Sequence, residues 1–206
     1  MNYFIDCGSN LGQGLTKFHN QFNILDNPGV KIFCFEPNPE IDLSKAGLPS
    51  NVVFYQQAVW TTNTKLKFRR SKRVYDYKKK LDTFGSDSKP GELTSVGCHL
   101  DLDDIIQEMA VPEVTDIVEI DAIDFCEFLD SLRKESPDGE ISIKMDIEGA
   151  EFPVLRDMLE RNAFSNVSNI WVETHERFVD NESKETVEEL LESIKAQGVN
   201  VYGDWG

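Results

Sequence analysis

Apolar positions along the chain fall into short, nearly unbroken runs separated by stretches of helical spacing. Tyr3 to Cys7, Val30 to Phe35, Asn51 to Gln57, Ile141 to Asp146, Asn169 to Val172 and Val199 to Tyr202 are the runs. Runs of this kind mark strands covered on both faces in a parallel sheet. Helices are predicted between them: from about Leu11 to Asn23, from Phe125 to Leu132, from Ala150 to Asn162, and from Ser183 to Gln197 with Gly198 ending it. In the second of these, Phe125, Phe128, Leu129 and Leu132 share one face. Pro153 is tolerable because it lies in a first helical turn. Alternation of strands with helices predicts an α/β fold, a doubly wound, mostly parallel sheet with helices on both faces.

The pattern loosens from Thr61 to Leu100. A short strand at Lys65 to Phe68 leads into a polar stretch containing Lys89-Pro90-Gly91, which reads as an insertion. Between positions 65 and 80, nine Lys or Arg residues stand against one acid, Asp76. This is either a solvated segment drawn to its own acidic body or a lid or patch that meets an anionic part of a substrate. Asp101 to Met109 then reads as a short acidic helix and Val118 to Ile120 as a brief strand. A length of 206 residues suits a single domain carrying that insertion at about 61–100.

The net charge of −16 disfavours duplex nucleic acid and anionic membranes as main partners, since both would be repelled, and favours an uncharged substrate. Cys7, Cys34, Cys98 and Cys126 show no C-x-x-C spacing, which suits reduced thiols in a cytosolic setting. No basic and apolar leader opens the sequence, and no apolar run approaches membrane-spanning length.

Chemistry concentrates at the ends of the predicted strands. Gly8, Gly12 and Gly14 follow the first strand and open a helix, a turn in which residues lacking Cβ let the backbone approach a ligand closely. The helix N-terminus offers free N–H groups there. Asp6 before the turn would repel a pyrophosphate but would accept hydrogen bonds from an ammonium group, so a zwitterionic or cationic ligand is expected. Glu36, which closes the second strand ahead of Pro37-Asn38-Pro39, stands where a doubly wound fold places the carboxylate that binds a ribose diol. Gln57-Ala58-Val59-Trp60 falls where an adenine ring would lie. Asp6, Glu36, Asp146, Glu173 and His175 all close predicted strands at one sheet edge, although they are far apart in sequence.

Taken in order, Phe4-Ile5-Asp6-Cys7-Gly8-Ser9-Asn10-Leu11-Gly12, Phe35-Glu36-Pro37-Asn38, Lys144-Met145-Asp146-Ile147-Glu148-Gly149-Ala150-Glu151 and Trp171-Val172-Glu173-Thr174-His175 resemble the FkbM family of S-adenosylmethionine-dependent methyltransferases across nearly the whole chain. The glycine turn alone is unspecific; the Lys-x-Asp-x-Glu-Gly-x-Glu run after Phe-Glu-Pro-Asn carries the likeness. The resemblance implies the class I methyltransferase (Rossmann-like) fold and methylation of a hydroxyl oxygen on a sugar, polyketide or lipid. It assigns Asp6, Gly8, Asn10 and Gly12 to the methionine portion of S-adenosyl-L-methionine, Glu36 to its ribose, and Asp146, Glu148 and Glu173 to the acceptor side. Asp6, Gly8, Ser9, Asn10, Gly12, Glu36, Pro37, Gln57 and Ala58 together make up the expected cofactor site. The chain starts directly in its first strand and stops after a sixth, as expected of a domain cut from a longer polypeptide. A weaker resemblance to methyltransferase domains fused to glycosyltransferases in large algal viruses implies a glycan sugar such as rhamnose as acceptor, and a host cytoplasm as setting.

An acceptor hydroxyl must lose its proton as the new bond forms, so a general base is required. Asp146 is the leading candidate, with Glu148, Glu173 and His175 as alternates and Lys144 pairing with one of the carboxylates. A divalent metal bridging Asp146 and Glu173 is the competing arrangement. Tryptophans 60 and 171 and tyrosines 75 and 77 are candidate stacking faces for a sugar. Two rival readings are weaker. A short-chain dehydrogenase would use Gly8-x-x-x-Gly12-x-Gly14 and Tyr75-x-x-x-Lys79, but that pair falls in the basic insertion and Asp6 opposes dinucleotide phosphates. A non-catalytic cofactor-binding module leaves the costly acidic cluster unused.

Overall fold

The computed structural model describes residues 1–71, 99–100, 114–176, 179 and 182–203. Six strands form one sheet in which every pairing is parallel: β1 (Asn2–Cys7), β2 (Val30–Phe35), β3 (Val52–Tyr55), β8 (Ile141–Met145), β9 (Val167–Val172) and β10 (Asn200–Tyr202). These are the six runs read from the sequence. The order is β10-β9-β8-β1-β2-β3, so the chain builds outward from β1 in one direction and later returns to build outward in the other. The switch point lies between β1 and β8, the place where such sheets bind ligands.

Side-chain alternation divides the core. Phe4, Ile32 and Cys34 face α1 (Gln13–Phe22) through Leu15 and Phe18. Tyr3, Ile5, Phe33 and Phe35 face the opposite side, covered by α2 (Phe125–Glu135) and α3 (Glu151–Glu160), with α4 (Lys184–Lys195) in the same cluster. Each helix matches its prediction within a few residues. Ser183 caps α4 by accepting from the Thr186 N–H, and Pro153 sits in the first turn of α3. Among the described residues, no helix is long and apolar enough to cross a membrane.

A second sheet departs from the sequence reading. β4 (Ala58–Trp60), β5 (Thr64–Ser71), β6 (His99–Leu100) and β7 (Val114–Asp124) pair in the order β4-β7-β5-β6. The expected strands at Lys65 to Phe68 and Val118 to Ile120 are the middles of β5 and β7, which pair antiparallel over most of their length. The basic run thus begins as ordered strand, and Lys65 Nζ pairs with Glu119 at 2.9 Å on β7. Alternate residues Phe68, Ile120 and Ala122 turn inward with Ala58, Leu100 and Ala150 to make a small separate core. Lysines and arginines 72, 73 and 78–80, tyrosines 75 and 77, Cys98 and the helix expected at 101–109 lie outside the described residues. Cys7, Cys34 and Cys126 are buried free thiols.

Candidate functional site

The turn after β1 is built around two glycines in the left-handed region, Gly8 at φ +79 and Gly12 at φ +83. A Cβ on Gly8 would stand 1.9 Å from the Asp146 carbonyl oxygen, so only glycine lets the turns after β1 and β8 touch. The N–H groups of Gly8 and Ser9 both donate to the Phe35 carbonyl at 2.9 Å, and the Asp146 N–H donates to the Cys7 carbonyl at 3.1 Å. Three strand ends are thereby clamped together.

Against this clamp lies an open-sided cleft. Gly8, Asn10, Glu36, Pro37, Gln57, Ala58, Asp146 and Glu148, all named from the sequence, line it. Sequence reasoning missed its apolar wall, in which Phe68 and Leu100 of the second sheet join Phe35, Val59, Ile147 and Ala150. The alternation of Leu66 and Phe68 with lysines and arginines was the available signal for Phe68.

Glu36 is 5% exposed. Its carboxylate accepts from the Asn10 N–H and the Asn38 N–H, both at 2.8 Å. Burial pushes its pKa up to about 7, against the lowering effect of those two N–H groups. The Asn10 side-chain oxygen is buried and has no hydrogen-bond partner among the described residues. An orphaned acceptor beside a buried carboxylate suits a ligand with hydroxyl or ammonium donors.

Asp6, Ser9, Gly12 and Lys144 lie behind the cleft rather than in its lining. Asp6 and Lys144 are fully buried, with Lys144 Nζ 3.2 Å from Asp6, 3.3 Å from Asp146 and donating to the Gly8 carbonyl at 2.8 Å. Burial alone would lower the Lys144 pKa, but the Asp6 and Asp146 charges outweigh it and hold the ammonium above its ordinary range. The ammonium group that Asp6 meets is therefore the chain's own, where the sequence reading expected the ligand's. Ser9 Oγ donates to the Asp6 carbonyl, and Gly12 caps α1.

Beyond Asp146 a second cluster surrounds His175, which is 4% exposed. Its Nε2 stands 3.6 Å from Glu148, 3.8 Å from Glu173 and 4.0 Å from Asp146, while Nδ1 lies 2.9 Å from Glu151. Burial lowers the His175 pKa, yet Glu151, Glu148 and Asp146 raise it further, to about 9. The surrounding carboxylates thus favour the charged form of the His175 imidazole. Glu151 belonged to the sequence motif but had no assigned role.

Ligating atoms of Asp146, Glu148 and His175 lie within 4.8 Å of one another, and Glu173 is not part of that trio. A second such trio, Asp124, Cys126 and Asp157, is filled by the Arg161 guanidinium, 2.8 Å from Asp124 and 3.2 Å from Asp157. Trp171 stacks on Tyr202 and packs against Phe18 and Phe22, away from the cleft lining, which removes it as a sugar-stacking face.

The family model described as Methyltransferase FkbM domain matches residues 6–200 of the chain. No curated protein and no solved structure matches it.

Proposed function

The chain belongs to the FkbM methyltransferase family, and from that premise we propose that it is an S-adenosylmethionine-dependent O-methyltransferase acting on a sugar hydroxyl, such as a terminal rhamnose of a glycan. The observation that carries the cofactor assignment is the orphaned Asn10 oxygen beside buried Glu36 at the mouth of the glycine turn. Asn10 and Glu36 would hold donor groups of the cofactor, and Ala58, Val59 and Phe68 would form its apolar wall. When bound, S-adenosylmethionine supplies an electrophilic methyl group on sulfonium.

The chain's part is to orient the acceptor and take its proton. Asp146 is the base in this reading. It lines the cleft, and its carboxylate lies between Lys144 and His175, whose positive charges compensate its own. His175 lacks a free lone pair while protonated, which leaves Glu148 and Glu173 as alternates. A second reading follows from the Asp146, Glu148 and His175 trio, which could hold a divalent ion that supplies Lewis acidity near the acceptor. An uncharged acceptor agrees with the net charge of −16, and three buried free thiols support a cytoplasmic setting.

Incubation with methyl-labelled cofactor and a panel of glycans, nucleic acids and small phenols tests the proposal. Label should enter glycans. Label confined to RNA or to phenols would refute the sugar assignment, and no cofactor binding by calorimetry would refute the cofactor.

A further inference from the structure

Glu151 is a carboxylate with no exposure at all, at the first position of α3 between buried Ala150 and Phe152. Complementing a helix dipole requires only an exposed acid in the first turn, whereas complete burial of an unpaired carboxylate costs several kcal/mol. Something must offset that cost, and the contacts show what does. One oxygen accepts from the Ile147 N–H at 2.8 Å and the other from the Gly149 N–H at 2.7 Å. The first oxygen also lies 2.9 Å from His175 Nδ1. All three partners belong to the acceptor side of the cleft.

We propose that Glu151 is the positioning residue of this site: one buried carboxylate sets both the backbone that carries Glu148 and the ring orientation of His175. The two amides it grips flank Glu148, which sits at φ +55 and is followed by Gly149 at φ +98. Successive left-handed residues are unfavourable for a glutamate, and anchoring the amides on either side holds them in place. At His175 the Nδ1 contact fixes which ring edge is committed, and Nε2 is presented to Asp146, Glu148 and Glu173 at 3.6 to 4.0 Å. Those spacings exceed a direct hydrogen bond, so these three carboxylates face Nε2 through charge. Being wholly buried, Glu151 cannot touch an acceptor itself and acts through His175 and Glu148. The proposal rests on the methyltransferase reading for its kinetic arm only.

The test uses the full chain and the near-isosteric variant Glu151→Gln, whose amide cannot accept from both backbone N–H groups and the imidazole together. Nitrogen-15 spectra of the wild type should show a hydrogen-bonded imidazole N–H, slow to exchange, that disappears in His175→Asn and in Glu151→Gln. With three histidines in the chain, that assignment is direct. In turnover with the acceptor found by the labelling panel, Glu151→Gln should lower kcat about 10–100-fold while the cofactor Kd changes less than about threefold. Glu151→Asp, which keeps the charge with a shorter reach, should recover part of kcat. Absence of the protected N–H in the wild type, its survival in Glu151→Gln, or an unchanged kcat in that variant would overturn the proposal. A chain that methylates nothing would instead refute the methyltransferase reading, and the imidazole signal would still decide the role of Glu151. If Glu151→Gln does not fold, the wild-type and His175→Asn spectra decide it.

Discussion

Asp6 and Lys144 are direct neighbours across β1 and β8, and their charges meet at 3.2 Å with neither side chain reaching solvent. The contact is one of charge more than of hydrogen-bond geometry, since neither Asp6 oxygen receives a well-formed hydrogen bond among the described residues. Removing Lys144 leaves Asp6 a buried, uncompensated charge, at a cost of about 3–5 kcal/mol, whereas removing Asp6 leaves Lys144 its contact with Asp146. Lys144→Met should lose about that much in urea unfolding and Asp6→Asn less, and the double variant should lose clearly less than the sum. Additive losses would show that the two charges do not depend on each other.

On the proposed assignment, Glu36 should make cofactor binding pH-dependent. Its folded pKa of about 7 lies above the ordinary carboxylate value, so the folded protein holds the proton over a range where the unfolded chain has released it. Its contribution to stability is complete below the unfolded value of about 4.5 and is lost as pH rises through about 7. Ionisation over the same range would create the acceptor for the ribose hydroxyls that the proposal assigns to Glu36. Cofactor affinity by calorimetry should therefore increase from about pH 6 to about pH 8 in the wild type and stay flat in Glu36→Gln. Parallel pH profiles for the two proteins would remove Glu36 from the binding site.

Asp146→Asn should lower turnover about 100-fold or more while leaving cofactor affinity nearly intact. Chelation separates the two acceptor-side readings. Activity abolished by EDTA and restored by magnesium or manganese would favour an ion on Asp146, Glu148 and His175; activity indifferent to EDTA would leave Asp146 as the base.

Two glycines in the same backbone region should respond differently to alanine. Gly47, at φ +68, has nothing within 4 Å of the place an alanine methyl group would occupy and should lose only about 1 kcal/mol, the left-handed penalty. Gly8 has that penalty and a methyl 1.9 Å from the Asp146 oxygen, so Gly8→Ala should lose more stability and cofactor binding as well. Equal losses would mean that the two turns do not need to touch.

The main sheet was legible because its strands are buried on both faces and therefore read as plain apolar runs, from Phe4-Ile5 to Ile170-Trp171-Val172. The second sheet was legible only in part. β5 and β7 carry one face of charge, with Lys65 opposite Asp121 and Lys67 opposite Glu119 in register, and that face shortened the strands read at Lys65 to Phe68 and Val118 to Ile120 and hid their pairing. Strand-end carboxylates were easily found, but their partners were hidden in the third dimension. Asp6 faces Lys144 from more than half the chain away, and Glu151 reads in the sequence as an ordinary first-turn acid. Periodicity records which face is buried; it does not record which charge waits there.

Pairing of Tyr3 with Ile141 also sets an order of events during synthesis. β1 can find β2 soon after the ribosome has made both, but its other edge must wait for residues 141–145, on the order of ten seconds at ~5–20 residues per second. For that interval the central strand of the finished sheet is an edge strand, apolar on both sides and open to foreign strands. Nascent chains arrested before Ile141 should remain protease-sensitive through residues 2–35, whereas chains released past Tyr202 should resist; early resistance would contradict this order. The first strand of this sheet is thus enclosed late, and the glycine turn that follows it is clamped only after residue 146 has been made.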